Sequence, residues 1–414
     1  MTLPPLSIRK IKNIGHFILA VTAISYYRNP SRKVKVIGVT GTDGKTTTAN
    51  YIYQLLELSG KRSALISTVG FFMDGEKKNL GFHVTTPPTF TLNRYLKKAI
   101  EKKVEYIVLE VSSHALDQFR VLGVRFTVGM ITNVSKEHLD YHKNIENYLN
   151  TKVKLLNLSD KILLNKSDPF FKKIKAKLPN KKIYTYSLDD DQVDLSYKSI
   201  KNLDTESLTQ YNKKNLLAAV LTLQLLDIDT ELTKDKLGKL KLPSGRLEYI
   251  QKKPFSVIVD FAHTPNAFSS LLPEIKKEAG GRIIHVFGSA GKRDSSKRPD
   301  MGNISSKFSD LIILTGEDSR GENIDKINSD IRKGIDEDFK LISTVGIDKS
   351  TIANKSIIQI EDRKQAIEFA LSMAKKNDAV VITGKGPEES MNMGKGEILW
   401  NDIEITKSIL KKIS

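Results

Sequence analysis

The chain has 414 residues, 39% of them hydrophobic and 28% charged, a composition that suits a globular protein of two or three domains and excludes wholesale disorder. There is no cysteine, which excludes disulfides, thiolate nucleophiles and cysteine-ligated zinc and makes the cytoplasm the expected setting. The net charge of +18 is compatible with nucleic acid, anionic lipid or an anionic small substrate, but Lys and Arg are spread along the whole chain and no nucleic-acid recognition motif accompanies them.

The first element is an apolar stretch from Ile14 to Tyr27, flanked by Arg9, Lys10 and Lys12 and by Arg28, Arg32, Lys33 and Lys35. It falls short of the ~20 apolar residues of a membrane span. It reads as a helix with Phe17, Ile18, Val21 and Ile24 on one face. That face either packs on the first domain or, through residues 1–30, makes a weak peripheral contact with an anionic membrane. Residues 1–33 are set apart as this segment.

A first α/β domain is expected over residues 34–242. The run from Val34 to Thr40 reads as a buried parallel strand, followed by a Gly-rich turn and a helix from about Thr46 to Leu58. Further strands are expected at Tyr106 to Val111, Gly129 to Asn133 and Lys161 to Leu164. Residues 189–210 suggest a small antiparallel insertion, and Tyr211 to Leu226 a helix. After a linker at Leu242-Pro243-Ser244-Gly245, a second α/β pattern occupies residues 243–414, with strands at Phe255 onward, Arg282 to Gly288, Leu311 to Thr315 and Ala379 to Thr383. The fold class is thus α/β: a central parallel-sheet domain of phosphate-loop type, then a smaller Rossmann-like domain.

Thr40 to Thr48 reads TGTDGKTTT. It lies between a strand and a helix, as a phosphate loop must, so its backbone N–H groups and the helix N-terminus face an anion. Lys45 is placed to reach phosphates and Thr46 to bind Mg²⁺. The general pattern G-x-x-x-x-G-K-[ST] is broken by Val39, where Gly is expected. Glu110 ends the strand YIVLE, where ligands bind in open α/β sheets, and with Thr46 and phosphate oxygens makes a hard-oxygen set.

The form T-G-T-x-G-K-T-T resembles the Mur ligases and folylpolyglutamate synthetases. LEVSSHALDQFRV, TNVSKEHLDYH and YLNTKVKLL resemble the muramyl-tripeptide synthetases within the Mur ligase family, as do SGRLE, DFAHTPNAF, GSAGKRDSSKRP and TGKGPEESM farther on. The resemblance runs from about Val34 to Trp400. It implies an ATP-dependent ligase that joins an acid to an amino acid through an acyl phosphate, adding diaminopimelate or lysine to a muramyl-Ala-D-Glu acceptor for peptidoglycan.

By that resemblance Gly41, Thr42, Asp43, Gly44, Lys45, Thr46, Thr47, Asn215, Arg246, His263 and Asn266 bind ATP. Thr85, Thr86, Ser112, Gln118 and Arg120, in or near HVTTPPTFTLNRYL and the SSHALDQFR stretch, hold the acyl substrate. Arg293, Asp318, Arg320, Gly384 and Glu388 hold the amino acid. Lys45, Glu110, His138 and Lys152 are catalytic. Two Mg²⁺ ions are implied, with Thr46, Glu110, His138 and Lys152 as ligands, Lys152 as a carbamate formed with CO₂ and Lys154 as the fallback. His138 comes from resemblance alone, since histidine is a poor magnesium ligand.

Two departures qualify this. Only 39 residues precede Thr40, too few for the domain of about a hundred residues that grips UDP in the family. Where diaminopimelate-adding members read D-N-P-R, this chain reads Glu317-Asp318-Ser319-Arg320; Arg320 still suits a distal carboxylate. The chain is expected to act as a monomer. The rivals are another Mur-type ligase, such as a folylpolyglutamate or polyglutamate synthetase, and a non-catalytic nucleotide-binding scaffold.

Overall fold

The computed structural model describes residues 8–81, 84–200, 208–230, 237–343 and 352–413. His83 and residues 201–207 of the expected insertion lie outside them. The chain divides into two compact units, one of residues 1–135 and 142–241, the other of 136–141 and 242–414.

The first unit begins with α1 (Ile8–Tyr27), β1 (Lys35–Thr40), α2 (Lys45–Leu58), β2 (Ser63–Ser67), β3 (Gly70–Met73), β4 (Glu76–Lys78), α3 (Thr89–Glu101) and β5 (Tyr106–Glu110). It continues through α4 (Ser113–Asp117), β6 (Phe126–Ile131), the short turn α5 (Leu139–His142) at the boundary of the two units, α6 (Ile145–Asn157), β7 (Ser159–Asn165), α7 (Phe171–Ala176), β8 (Ile183–Ser187), β9 (Leu195–Ser196) and α8 (Gln210–Leu225). The strands form one sheet in the order β4-β3-β2-β5-β1-β6-β7-β8-β9. It is parallel from β2 to β9, with β3 and β4 added antiparallel at one edge. Val36, Ile37 and Val39 of β1 and Ile107, Val108 and Leu109 of β5 are wholly buried, as expected of central strands covered on both faces.

No antiparallel pairing forms among the described residues of the expected insertion. Among the described residues of 189–200, Leu195 pairs in parallel with Tyr186, extending the main sheet by one short strand. The polar composition there belongs to the turn that leads to this edge, with Asp190 and Asp191 paired to Lys166 and Lys198.

Helix α1 packs on α3, and by only part of the face expected: Phe17 meets Phe119 edge-on, ring centres 5.5 Å apart. Ala20 and Ala23 are buried and Ile24 lies on Gly123, while Ile18 and Val21 are 58% and 46% exposed. The helix is apolar on every side, so its periodicity could not single out the inward face. It is pinned near its start by Asn13 Nδ2 donating to Asp117 Oδ2 at 3.2 Å. After its end, Asn29 Nδ2 donates to the Gly123 carbonyl at 3.1 Å.

The second unit holds β10 (Glu248–Gln251), β11 (Ser256–Asp260), β12 (Ile283–Phe287), β13 (Leu311–Leu314), β14 (Lys340–Ile342), β15 (Ser356–Gln359), β16 (Ala379–Thr383) and the separate hairpin β17 (Ser390–Asn392) and β18 (Glu397–Leu399). The main sheet runs β10-β11-β16-β12-β13-β15-β14, parallel except for β10. Helices Arg363–Met373 and Asp402–Ile413 are tied by a fully buried pair, Arg363 Nε to Asp402 Oδ1 at 2.9 Å and Nη2 to Oδ2 at 2.6 Å.

His285 of β12 is wholly buried between Ser305 Oγ at 2.8 Å and Thr383 Oγ1 at 3.0 Å. Burial disfavours its cation and pulls its pKa from 6.5 down to about 3. Below pH 6.5 the unfolded chain binds a proton that the folded chain does not, so this histidine costs stability as pH falls, by up to ~1.4 kcal/mol per pH unit. The His285→Gln variant should therefore lose less stability than the parent between pH 6.5 and 4.5 in urea titrations. Identical pH slopes would show that His285 is not the group responsible.

Candidate active site

Strand β1 ends at Thr40, and residues 41–44 turn into α2. Gly44 sits at φ +78, and a Cβ there would lie 2.4 Å from Asn215 Oδ1, so both backbone and space call for glycine. The loop is laced to the segment after β6. Thr42 N donates to the Asn133 carbonyl at 3.0 Å and Asp43 N to Asn133 Oδ1 at 2.9 Å. Thr132 Oγ1 and Asn133 Nδ2 donate to the Asp43 carbonyl at 2.7 and 2.9 Å. Lys45 Nζ donates to the Thr42 carbonyl at 2.7 Å, so its charge stays on the loop. Asn215, from α8, accepts from Thr48 Oγ1 at 3.2 Å.

Glu110 is 1% exposed at the end of β5. Its Oε1 accepts from Thr46 Oγ1 at 3.0 Å, and its Oε2 from Thr68 N at 2.9 Å and Thr68 Oγ1 at 3.1 Å. Thr68 was not foreseen; it follows β2, and nothing in its own neighbourhood in the sequence marks it. These oxygens are the hard donors that Mg²⁺ prefers, beside a loop built for phosphate, so the residues present fit a magnesium–nucleotide ligand.

The acyl-site candidates gather on the same side of the unit. Thr85 Oγ1 lies 3.0 Å from Thr68 Oγ1, and Thr86 Oγ1 donates to the Glu110 carbonyl at 2.9 Å and accepts from Ser112 N at 3.0 Å. Arg120 donates to the Thr86 carbonyl at 2.7 Å and to Gln118 Oε1 at 2.7 and 3.1 Å. Ser112 Oγ caps α4 through Ala115 N.

Lys152, on α6, is 1% exposed, whereas Lys154 is exposed. Its Nζ donates to the Gly41 carbonyl at 2.5 Å and lies 4.2 Å from the centre of the Tyr148 ring. A buried amine against the phosphate loop is what separates it from the many surface lysines of this chain.

The other candidates belong to the second unit. His138 lies 3.7 Å from Glu137, whose other oxygen accepts from His263 Nε2 at 3.0 Å. Burial alone would raise the Glu137 pKa, but His138, His263 and Lys297 outweigh it and hold the carboxyl well below its usual range. Lys297 also donates to the His263 carbonyl at 2.7 Å. Arg246 stacks on Phe261 at 4.5 Å, and Asn266 and Arg293 are exposed. Asp318 gathers Arg320 Nη2 at 3.2 Å, Lys385 Nζ at 2.9 Å and Asn392 N at 2.9 Å. Glu388 takes the same lysine at 2.5 Å, and the buried Gly384, at φ +112, packs against Glu317. Glu137, Lys297 and Lys385 were not among the expected site residues. Their motifs were noticed, but each acts on a neighbouring charge, which spacing does not display.

Residues 39–225 match the family model of the Mur ligase middle domain, and residues 245–386 that of the Mur ligase, glutamate ligase domain. The chain belongs to the Mur ligase family. It is 39% identical to the UDP-N-acetylmuramyl-tripeptide synthetase of Borreliella afzelii (strain PKo), over 93% of this chain and 78% of that one. It is 34% identical to UDP-N-acetylmuramoyl-L-alanyl-D-glutamate--2,6-diaminopimelate ligase 1 of Clostridium acetobutylicum, over 99% of this chain and 85% of that one. A solved structure of a UDP-N-acetylmuramoyl-L-alanyl-D-glutamate--2,6-diaminopimelate ligase superposes with a TM-score of 0.58 at 27% identity, covering 92% of this chain and 79% of that one. Mur ligases are ATP-dependent amide-forming enzymes, and this chain is one of them; the non-catalytic scaffold falls away.

The loop geometry makes a direct prediction. Gly44→Ala forces a left-handed alanine and a clash with Asn215, so nucleotide affinity should fall at least about tenfold, a cost of ~1.4 kcal/mol or more. Calorimetric titration with a non-hydrolysable ATP analogue measures this, and affinity within twofold of the parent would contradict the loop assignment.

Proposed function

We propose that this ligase adds the third amino acid to a muramoyl-L-alanyl-D-glutamate acceptor in peptidoglycan precursor synthesis, as a cytoplasmic monomer. The observation that carries the reading is the buried Glu110 carboxylate on Thr46, at the mouth of a loop shaped for phosphate. The names of the relatives point to the acceptor and to diaminopimelate or lysine as the amino acid.

The D-glutamate carboxylate attacks the γ-phosphorus of ATP, giving an acyl phosphate and ADP. The amine of the incoming amino acid then attacks the acyl carbon, phosphate leaves, and the nitrogen gives up a proton. Thr46 and Glu110 would hold a magnesium ion, which when bound supplies positive charge against the phosphates. The α2 N-terminus and Lys45 face the same phosphates and stabilise the charge that builds on the leaving oxygen. Arg120, fixed by Gln118 and the Thr86 carbonyl, is placed to orient the acceptor. A carbamate on Lys152 would turn the buried cation into an anionic oxygen donor for a second magnesium ion. Its amine already sits against the Gly41 carbonyl, the start of the phosphate loop. In the second unit, Arg320 offers a guanidinium to a distal carboxylate, which favours diaminopimelate over lysine.

Phosphate release with UDP-linked and UDP-free acceptors, crossed with diaminopimelate, lysine and ornithine, tests the substrate reading. No release with any muramoyl dipeptide would refute it. The Lys152→Ala variant should lose roughly 100-fold or more of kcat, with partial rescue by formate or acetate. Full activity of that variant in CO₂-free buffer would exclude the carbamate. Arg320→Ala should raise KM for diaminopimelate about 10- to 150-fold and leave KM for lysine little changed, since a charge-assisted bond is worth ~1.5–3 kcal/mol. Equal responses to the two amino acids would make Arg320 a structural residue.

A further inference from the structure

Helix α1 is docked by one side only. Ile14, Phe17, Ile18, Leu19, Val21 and Tyr26 are 45 to 74% exposed. They make up six of the twelve large apolar side chains that stand exposed among the described residues, so the apolar surface is concentrated on this one helix rather than scattered. Phe90 of α3, itself exposed, continues the patch beside Tyr27, ring centres 6.4 Å apart. An element that is apolar all round belongs in a core or in contact with lipid, and the first unit covers only half of this one. The hydrogen bonds from Asn13 and Asn29 hold the helix in place, so its outward face is a fixed surface.

The charge around it is one-sided. Residues 1–42 contain seven Lys and Arg and no Asp or Glu, the first carboxylate of the chain being Asp43. Lys12 at one end of the helix and Arg28, Arg32, Lys33 and Lys35 beyond the other are exposed. At that second end lies a cavity of about 990 Å³ at the N-terminal ends of β1, β5 and β6. Arg32, Lys33, Lys35 and Arg125 line it, with Glu105 and Asp160 also on its wall. The phosphate loop sits at the opposite, C-terminal end of β1.

We propose that the outward face of α1 is a docking surface for an anionic membrane, with the helix lying along the interface and the basic residues at its ends on lipid headgroups. No helix among the described residues is long and apolar enough to cross a membrane, which leaves a helix lying in the plane as the geometry. Self-association through the same face is disfavoured, because it would bring two sets of like charge together. An anionic leaflet instead supplies the missing counter-charge and accepts the apolar side chains.

The test uses the full chain and its sedimentation with vesicles of phosphatidylcholine, with and without phosphatidylglycerol. The parent should bind the anionic vesicles, release them at high salt and ignore the neutral ones. One variant carries Ile14→Gln, Ile18→Gln and Val21→Gln; a second carries Lys12→Gln, Arg28→Gln, Arg32→Gln and Lys33→Gln. Each should lower partitioning onto anionic vesicles at least about tenfold. Neither should change the melting temperature or phosphate release with a soluble acceptor, since no altered residue belongs to the ligase site. Should the apolar variant fold poorly, the charge variant, altered only at exposed residues, carries the test alone. A parent that ignores anionic vesicles overturns the proposal, and so do variants that bind as the parent does. A parent that elutes as a dimer, with the apolar variant a monomer, assigns the face to a second copy and overturns it too.

Discussion

A carboxylate buried to 1% exposure needs hydrogen bonds at both oxygens, and in the first unit the donors that satisfy Glu110 come from separate parts of the chain. Thr46 arrives on α2 and Thr68 on the turn after β2, while the carbonyl of Glu110 itself accepts from Thr86. The phosphate loop, the turn between β2 and β3 and the candidate acyl loop are therefore registered against one strand end. The central position of β5 in the sheet, beside β1, is what makes that meeting possible. Substituting Glu110 disturbs all three segments together.

The second unit solves its charge problem differently. Asp318 is shared between Arg320 and Lys385, and Lys385 is shared in turn with Glu388. The lysine is wholly buried, and its two carboxylate partners hold its pKa above the usual value although burial acts against it. Such a chain keeps Arg320 aimed without a rigid proline in the motif, which here reads Ser319. A guanidinium held in advance loses little freedom on meeting a carboxylate.

Strands β1, β5, β6, β7, β11, β12, β13 and β16 were legible as continuous apolar runs, and β1 and β5 end in chemistry, β1 in the Gly-rich turn and β5 in Glu110. The segment Leu242 to Gly245 was read as a linker from its Pro and Gly. The roles of Thr68, Thr132 and Asn133 were not legible, since Thr68 bonds Glu110 from 42 residues away, and the side chains of Thr132 and Asn133 bond the backbone of Asp43 from 89 and 90, separations that no local pattern displays. The edge strands β4 and β10 were missed because they are short and polar, with no unbroken apolar run; β2, β3, β8 and β15 were missed as well, being only four or five residues long. Helix α1 was found, but only Phe17 and Ile24 of its expected face pack on the unit, because a helix apolar on all sides has no phase. Family motifs singled out His138 and Lys152; spacing alone would have left Lys152 among the surface lysines, whereas it is buried.

The docking of α1 also has a history in time. Its anchors at Asp117 and Gly123 follow it by 104 and 94 residues. At translation rates of about 5–20 residues per second, those partners emerge roughly 5–20 s after the helix does. Through that interval Ala20, Ala23 and Ile24 are as bare as Ile14 and Ile18, because the parts of the first unit that cover them have yet to be made. The order of synthesis thus sets a race between chain growth and capture by whatever apolar surface is nearest the ribosome.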